Sequence, residues 1–454
     1  MGDHRHPGRG GLISRRRATV RRCLLAGSVF LSAACSASDP AGPTDGVVSA
    51  EESTTVDPPP QTTSVPPTTA PPTTAPPTTV QATTSTPATP TTSDPAPVPV
   101  LVASRAPAPG TMPLVLALDI TPAERAVVDI LVAQAIARLP ADSSTFAIAR
   151  NGAPIATWSV GRTANGEPLT ASSRFRVASV SKLIVSLAVL RLADEGRIAL
   201  DEPVLSQWTP PTSPVDPAFA RITVRQLLQH TSGLDKHRGL FFDEGATDWH
   251  DAVQQIVALP LTSAPGHEFR YTNADFVILG KLIEQLTGRA FEDAARELVL
   301  SPLGVTSAVM VGTHEQPDGD PWYPTGSGRN YMETTGPAGA WAMTAIEALA
   351  LVREFDASTS TGFLRPETIA AARRGSGPIE NEPDWQYGLG LMVFHGPIGH
   401  TGTLENALSA DVTLPNDYSL MLSTTSEEPG DGEGLLAESG AALSALLRLP
   451  DTRA

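Results

Sequence analysis

Residues 175–196 read Phe175-Arg176-Val177-Ala178-Ser179-Val180-Ser181-Lys182-Leu183-Ile184-Val185-Ser186-Leu187-Ala188-Val189-Leu190-Arg191-Leu192-Ala193-Asp194-Glu195-Gly196. A strand-like Phe-Arg-Val runs into a helical pattern that starts at Ser179 and stops at the glycine. Ser179 and Lys182 are three residues apart and share one face of that helix. An ammonium on that face can sit beside the serine hydroxyl. Burial lowers a lysine's pKa, and the neutral amine can then accept the serine proton. The helix start also offers free N–H groups and a positive dipole end to a reacting carbonyl. Ser-x-x-Lys alone also fits a capped helix with an ordinary lysine. Lysine is rare in this chain, however, occurring only as Lys182, Lys236 and Lys281.

Two further constellations lie downstream. Tyr271-Thr272-Asn273 follows the turn residues Pro265-Gly266 and precedes a helix. A tyrosine near a cation can act as a general acid or base. An asparagine can donate to a substrate amide and orient the lysine. His400-Thr401-Gly402-Thr403 reads as a strand in which Gly402 lets a substrate approach closely. The Thr403 and Ser179 N–H groups suit an oxyanion hole, and His400 with Thr401 suits a substrate carboxylate. Taken singly, these also fit a core tyrosine, an Asn helix cap and a strand ending in a glycine turn.

Around the motifs the spacing predicts a mixed fold. Thr121-Pro122-Ala123-Glu124 is a capping box, and the helix it opens is expected to reach Leu139. Thr145–Arg150 and Pro154–Gly161 flank Asn151-Gly152, a hairpin signal. Helices are expected from Thr223 (with Gln226) to before Gly233, over Ala274–Thr287, and from Thr344 (with Glu347). Strands are expected at Tyr387–Phe394, Gly399–Thr403, Leu408–Leu414 and Tyr418–Thr424, then a helix over Leu435–Leu449. Strands at both ends with helices between give an α+β sandwich. Its sheet is mainly antiparallel, flanked by helices, and carries an inserted all-helical lobe.

The order Ser-x-x-Lys, Tyr-x-Asn, His-Thr-Gly resembles the serine beta-lactamase and DD-peptidase superfamily. The tyrosine in the second motif resembles the branch of DD-carboxypeptidases, class C beta-lactamases and related esterases. The resemblance covers about residues 120–448. It implies an acyl-enzyme on Ser179, with Lys182 and Tyr271 moving the proton and the Ser179 and Thr403 amides holding the oxyanion. It implies that Asn273 places the acyl side chain, that His400 with Thr401 faces the leaving group or carboxylate, and that no metal or cofactor is needed. Arg221–Leu228, His230-Thr231-Ser232-Gly233-Leu234, Ala338-Gly339-Ala340 and Tyr387-Gly388-Leu389-Gly390 read as scaffold, with His230 and Ser232 ending a helix at Gly233. Two departures bear on substrate. The third motif begins with histidine rather than lysine, and Leu404-Glu405-Asn406-Ala407 stands where relatives commonly carry a glycine and an aromatic.

The ends of the chain set its location. Residues 1–34 hold seven Arg against one Asp and end in an apolar run, Cys23 to Ala34. This reads as a signal peptide. Leu31-Ser32-Ala33-Ala34-Cys35 resembles a lipobox, which makes Cys35 the expected lipidation site. Ser14-Arg15-Arg16 loosely matches a twin-arginine export signal. Residues 35–110 are dense in Pro, Thr and Ser and repeat Pro-Pro-Thr-Thr-Ala from Pro66 and Pro71. They read as a disordered stalk or plain linker before a hydrolase domain at 111–450. The chain carries a formal charge of −16, and the basic leader leaves the remainder more acidic still, which argues against nucleic-acid binding. No metal, P-loop or dinucleotide motif is present.

The expectation is an exported, membrane-anchored serine hydrolase, D-alanyl-D-alanine carboxypeptidase-like on peptidoglycan peptides. A beta-lactamase or esterase on other small acyl substrates uses the same residues. A catalytically weak binding protein on the same fold is the alternative of a different class.

Overall fold

The computed structural model describes residues 101–104, 114–137, 143–243, 245–323, 328–376, 385–405, 407–425 and 432–452. The expected leader, Cys35, most of the Pro/Thr-rich segment and Asn406 lie outside the described residues. The sheet opens earlier than the 111 boundary, because β1 (Leu101–Ser104) pairs antiparallel with β2 (Leu114–Ala117).

The capping box forms as read. Glu124 N–H donates to Thr121 Oγ1 at 3.2 Å, and Thr121 N–H donates to Glu124 at 2.6 Å, opening α1 (Pro122–Ala137). The hairpin of β3 (Ser144–Arg150) and β4 (Ala153–Val160) turns on Asn151 and Gly152, both at positive φ (51° and 73°). Then come the two-residue strand β5 (Phe175–Arg176), α2 (Lys182–Asp194) and the helical lobe. The lobe comprises α3 (Val224–Leu228), α4 (Arg238–Phe242), α5 (Trp249–Val257), α6 (Asn273–Thr287) and α7 (Phe291–Ala295). Strand β6 (Val309–Met310), α8 (Tyr331–Thr335), β7 (Trp341–Met343), α9 (Ala345–Val352) and α10 (Pro366–Ala372) complete it. The chain returns to the sheet as β8 (Trp385–Tyr387), β9 (Met392–Phe394), β10 (Ile398–Leu404), β11 (Ala407–Thr413) and β12 (Tyr418–Thr424), and α11 (Gly432–Leu447) follows.

Nine antiparallel strands lie in the order β1-β2-β4-β3-β12-β11-β10-β9-β8, so the N-terminal hairpin pairs with the last strand. Parity along β3 sorts the two layers. Phe146 and Ile148 pack with Val127, Val128 and Leu131 of α1 and Leu446 of α11. Ala147 and Ala149 face the other core, around α2 and α9, where their small side chains admit a helix close to the sheet. The fold is the expected α+β arrangement.

Three expectations change. Tyr387–Phe394 is not one strand but β8 and β9 around a turn at residues 388–391. Gly390 sits at φ +84°, its N–H donates to the Leu228 carbonyl at 3.0 Å, and a Cβ there would lie 2.5 Å from that of Ser186. The turn is therefore plugged into α2 and α3. Helix α3 keeps its Thr223–Gln226 capping box but stops at Leu228, because His230 adopts φ +56°. A second, three-stranded sheet, β5-β7-β6, was not foreseen.

Candidate active site

The start of α2 is built by what surrounds it. Val177 N–H donates to the Trp341 carbonyl at 3.0 Å, and the Val177 carbonyl accepts from Ser409 Oγ at 2.6 Å. Ala178 is held at φ +49°, an uncommon conformation for a residue with a Cβ. Residues Ala178–Ser181 then form one 3₁₀ turn that feeds α2. From 175 to 190 every residue is buried except Ser179. The fold conceals its densest apolar helix and leaves one hydroxyl accessible.

Lys182 is fully buried. Its Nζ lies 3.1 Å from Ser179 Oγ, 2.8 Å from Asn273 Oδ1 and 2.9 Å from the Ala338 carbonyl, and 5.0 Å from the centroid of the Tyr271 ring. Loss of water lowers its pKa to about 7, with the Asp275 charge pulling the other way. Such a lysine can carry a neutral amine near neutral pH, in contact with a hydroxyl that carries a proton.

The second motif is fixed by the strand-like segment before α6. Arg270 N–H donates to the His230 carbonyl at 2.7 Å. Thr272 caps α6, accepting from Ala274 N–H at 3.1 Å and donating to the Asp235 carbonyl at 2.7 Å. Because Thr272 is the cap, the Asn273 amide is free to reach Lys182. Tyr271 is half-buried, with its ring centroid 4.4 Å from that of His230 and 5.9 Å from that of Tyr387.

His230 and Ser232 do more than end a helix. His230 Nδ1 lies 2.8 Å from one oxygen of Asp275, and Ser232 Oγ donates to the other at 2.5 Å, all three fully or almost fully buried. Sequence reasoning missed Asp275. Its signal was a carboxylate opening the apolar run Phe276-Val277-Ile278-Leu279.

The third motif is placed differently from expectation. His400 is fully buried, with Nε2 2.9 Å from the Tyr387 hydroxyl and Nδ1 2.5 Å from the Thr401 carbonyl. Burial, aided by the Lys182 charge, pushes its pKa down to about 3, so the ring is neutral. Both nitrogens are engaged within the protein, so neither is available, as the ring is placed, to bind a substrate carboxylate. Thr401 turns its hydroxyl to Met392 Sδ at 3.6 Å. Gly402 is needed for the protein's own packing: a Cβ there would lie 2.4 Å from the Val177 carbonyl oxygen and 2.9 Å from the Ala178 Cβ. Strand β9 pairs with β10 only at Ile398 and Gly399, so beyond them β10 runs along the Val177–Ala178 turn, with half-buried Thr403 past that contact.

An antiparallel sheet carrying a helical lobe, with a buried lysine against a helix-start serine, defines the class. The chain belongs to the Beta-lactamase family, whose sequence profile matches residues 132–442. It is similar to Esterase EstB of Burkholderia gladioli, at 30% identity over 53% of this chain and 73% of the esterase. It is also similar to penicillin-binding protein 4 of Amycolatopsis lactamdurans, at 32% identity over 32% of this chain and 38% of that protein. Apart from the esterase, the matches to the relatives compared span 34% to 43% of those proteins. A D-stereospecific amidohydrolase from a Streptomyces species shares the fold, with TM-score 0.57, 23% identity, and 69% of this chain matched to 98% of that one.

Proposed function

We propose that the protein is a serine hydrolase that forms an acyl-enzyme on Ser179, with carboxylic esters as the favoured substrates. The observation that carries this reading is the buried amine of Lys182 at 3.1 Å from the one accessible hydroxyl of the helix start. Neutral Lys182 takes the Ser179 proton as Oγ bonds to the carbonyl carbon and the carbonyl electrons move to oxygen. The Ser179 and Thr403 N–H groups stabilise that oxyanion. Lys182 and Tyr271 return the proton to the leaving group, Asn273 holds the acyl side chain, and water then releases the acid.

The ester preference follows from His400. An imidazole that is neutral, with both nitrogens engaged, gives a free carboxylate on the substrate no cation at the third motif. The similarity to an esterase supports the same choice. A second reading is D-alanyl-D-alanine carboxypeptidase action on peptidoglycan peptides. The signal-like leader, the lipobox-like Cys35 and the proline-rich segment favour it, since together they fit an exported lipoprotein at the cell surface.

The test follows intact mass and nitrophenyl-ester hydrolysis for wild type and Ser179→Ala, with benzylpenicillin and a D-alanyl-D-alanine peptide run alongside. Ester turnover in wild type alone supports the reading. A lasting penicillin adduct with peptide cleavage moves it to the peptidase, and rapid penicillin consumption moves it to a beta-lactamase. Equal ester rates in the two proteins discard Ser179 as nucleophile. Incorporation of labelled fatty acid in wild type but not Cys35→Ala tests the anchor.

A further inference from the structure

Arg176 ends β5, three residues before Ser179, and is almost fully buried. Among the described residues its guanidinium pairs with no carboxylate and meets neutral oxygens instead. Nη2 lies 3.2, 3.0 and 2.9 Å from the carbonyl oxygens of Gly312, Thr313 and Glu315, and Nη1 lies 3.4 Å from the Tyr331 hydroxyl. The Tyr323 ring lies against the guanidinium, 4.3 Å from centroid to Cζ, and the Tyr323 hydroxyl accepts from the Arg176 N–H at 2.9 Å. A cation buried without a counter-ion is costly, and an apolar side chain of similar volume would often serve stability as well. A planar guanidinium fork reaches several acceptors at once, which a lysine cannot. The residue is accounted for by what it holds in place.

What it holds leads to both donors of the proposed oxyanion hole. The segment at residues 312–315 docks on α8. Thr313 donates through its N–H and its hydroxyl to the Glu333 carboxylate at 3.0 and 2.6 Å, and accepts from the Met332 N–H at 2.9 Å. Tyr331, the first residue of α8, donates its hydroxyl to the Glu405 carbonyl at 3.2 Å. Glu405 stands just past the end of β10, two residues beyond Thr403, in the stretch that departs from the family pattern. Ala178, beside Ser179, and Leu404, beside Thr403, share one buried group with Tyr323 and Tyr331. The nucleophile turn and the strand end are thus set against the same two phenols.

We propose that Arg176 is a positioning residue for the oxyanion pair: through Tyr331 it holds the Glu405 end of β10, and so fixes where the Thr403 N–H stands relative to the Ser179 N–H. The inference rests on the reading of Ser179 and Thr403 given above. The chain itself joins Arg176 to Ser179 on one side, and the Tyr331 hydroxyl joins it to the strand of Thr403 on the other. Stabilisation of a developing oxyanion needs donors about 2.7–3.1 Å from it. A strand end that drifts by a fraction of an ångström therefore weakens the transition state more than the bound substrate.

The experiment measures kcat and KM for a nitrophenyl ester and for its thiono analogue, with C=S in place of C=O, in full-length wild type, Tyr331→Phe, Arg176→Met and Ser179→Ala. Sulfur accepts hydrogen bonds weakly, so the thiono ester draws little on the oxyanion donors. Tyr331→Phe deletes one hydroxyl and keeps the ring in its buried group. It is expected to lower kcat for the oxygen ester about tenfold or more with KM little changed. For the thiono ester the expected fall is about threefold or less. Arg176→Met is expected to move both rates the same way and further; if it fails to accumulate, Tyr331→Phe decides alone. A merely structural loss lowers the two rates by one factor, through the folded fraction. Equal factors for the two esters in Tyr331→Phe, or no change in either, overturn the role of Arg176 while leaving the nucleophile standing. Equal rates in wild type and Ser179→Ala overturn both readings.

Discussion

The Tyr387 hydroxyl, at the end of β8, meets His400 Nε2 on β10 at 2.9 Å, and both residues are fully buried. This bond occupies one ring nitrogen of the first residue of the third motif, and the Thr401 carbonyl occupies the other. Replacing Tyr387 with Phe leaves a buried imidazole nitrogen without a partner and is expected to cost about 1–3 kcal/mol, read as a lower melting temperature. His400→Gln is expected to change KM for a neutral and an anionic ester of equal size by the same factor. A selective loss for the anionic ester would show that His400 does bind the substrate carboxylate.

Lys182, proposed above as the base, predicts a pH dependence. Its ammonium form cannot accept a proton, and its pKa in the fold is about 7. Activity is therefore expected to be low well below pH 7, to rise through that value and to level off above it. Lys182→Met, which fills similar space without a base, is expected to lower kcat by about 10²–10⁴-fold. An activity flat from pH 5 to 8 would contradict a role for this amine.

Gly402 tests how tightly β10 must sit on the α2 turn. An alanine methyl would meet the Val177 carbonyl oxygen at 2.4 Å and Ser409 Oγ at 2.6 Å. The strand must then move away from Ala178, carrying Thr403 with it. Misplacement on this scale is expected to cut kcat/KM about 10²-fold, measured on protein shown by circular dichroism to be folded. Unchanged kinetics in Gly402→Ala would mean that the oxyanion pair is not formed by Thr403.

What the sequence showed was mostly local chemistry. The Thr121–Glu124, Thr223–Gln226 and Thr344–Glu347 boxes and the Asn151-Gly152 turn depend on residues within a few positions of each other, and all four formed. The Ser179–Lys182 contact was legible for the same reason, being one helical turn. The rest was decided by distant partners. Tyr387–Phe394 alternates like a strand, yet Ser186 and Leu228 anchor a turn in its middle. The reason for Gly402 is Val177, and that for His400's burial is Tyr387; neither pairing is visible in a local pattern. Asp275 was missed because its two partners lie more than forty residues away.

Asp411 offers a test of stability rather than of catalysis. It sits on β11 opposite His400 on β10 and Met421 on β12. Leu408 and Val412 belong to the layer under α1 and α11, so Asp411, of the other parity, faces the helical side. It is fully buried, and neither carboxylate oxygen has a hydrogen-bond partner among the described residues. Burial raises its pKa well above the ordinary range, so the carboxyl is protonated in the fold. The unfolded chain ionises it near about 3.9. Below that pH both states carry the proton and no penalty from ionisation arises. As pH rises above it, the unfolded state gains by ionising and the fold loses stability, up to the raised folded value. Asp411→Asn removes this term and is expected to melt higher than wild type, by a margin near zero at pH 4 that grows to about several degrees at pH 8. Thermal melts of both proteins at the two pH values decide it: a margin that does not widen between them would show that Asp411 has a partner for its charge.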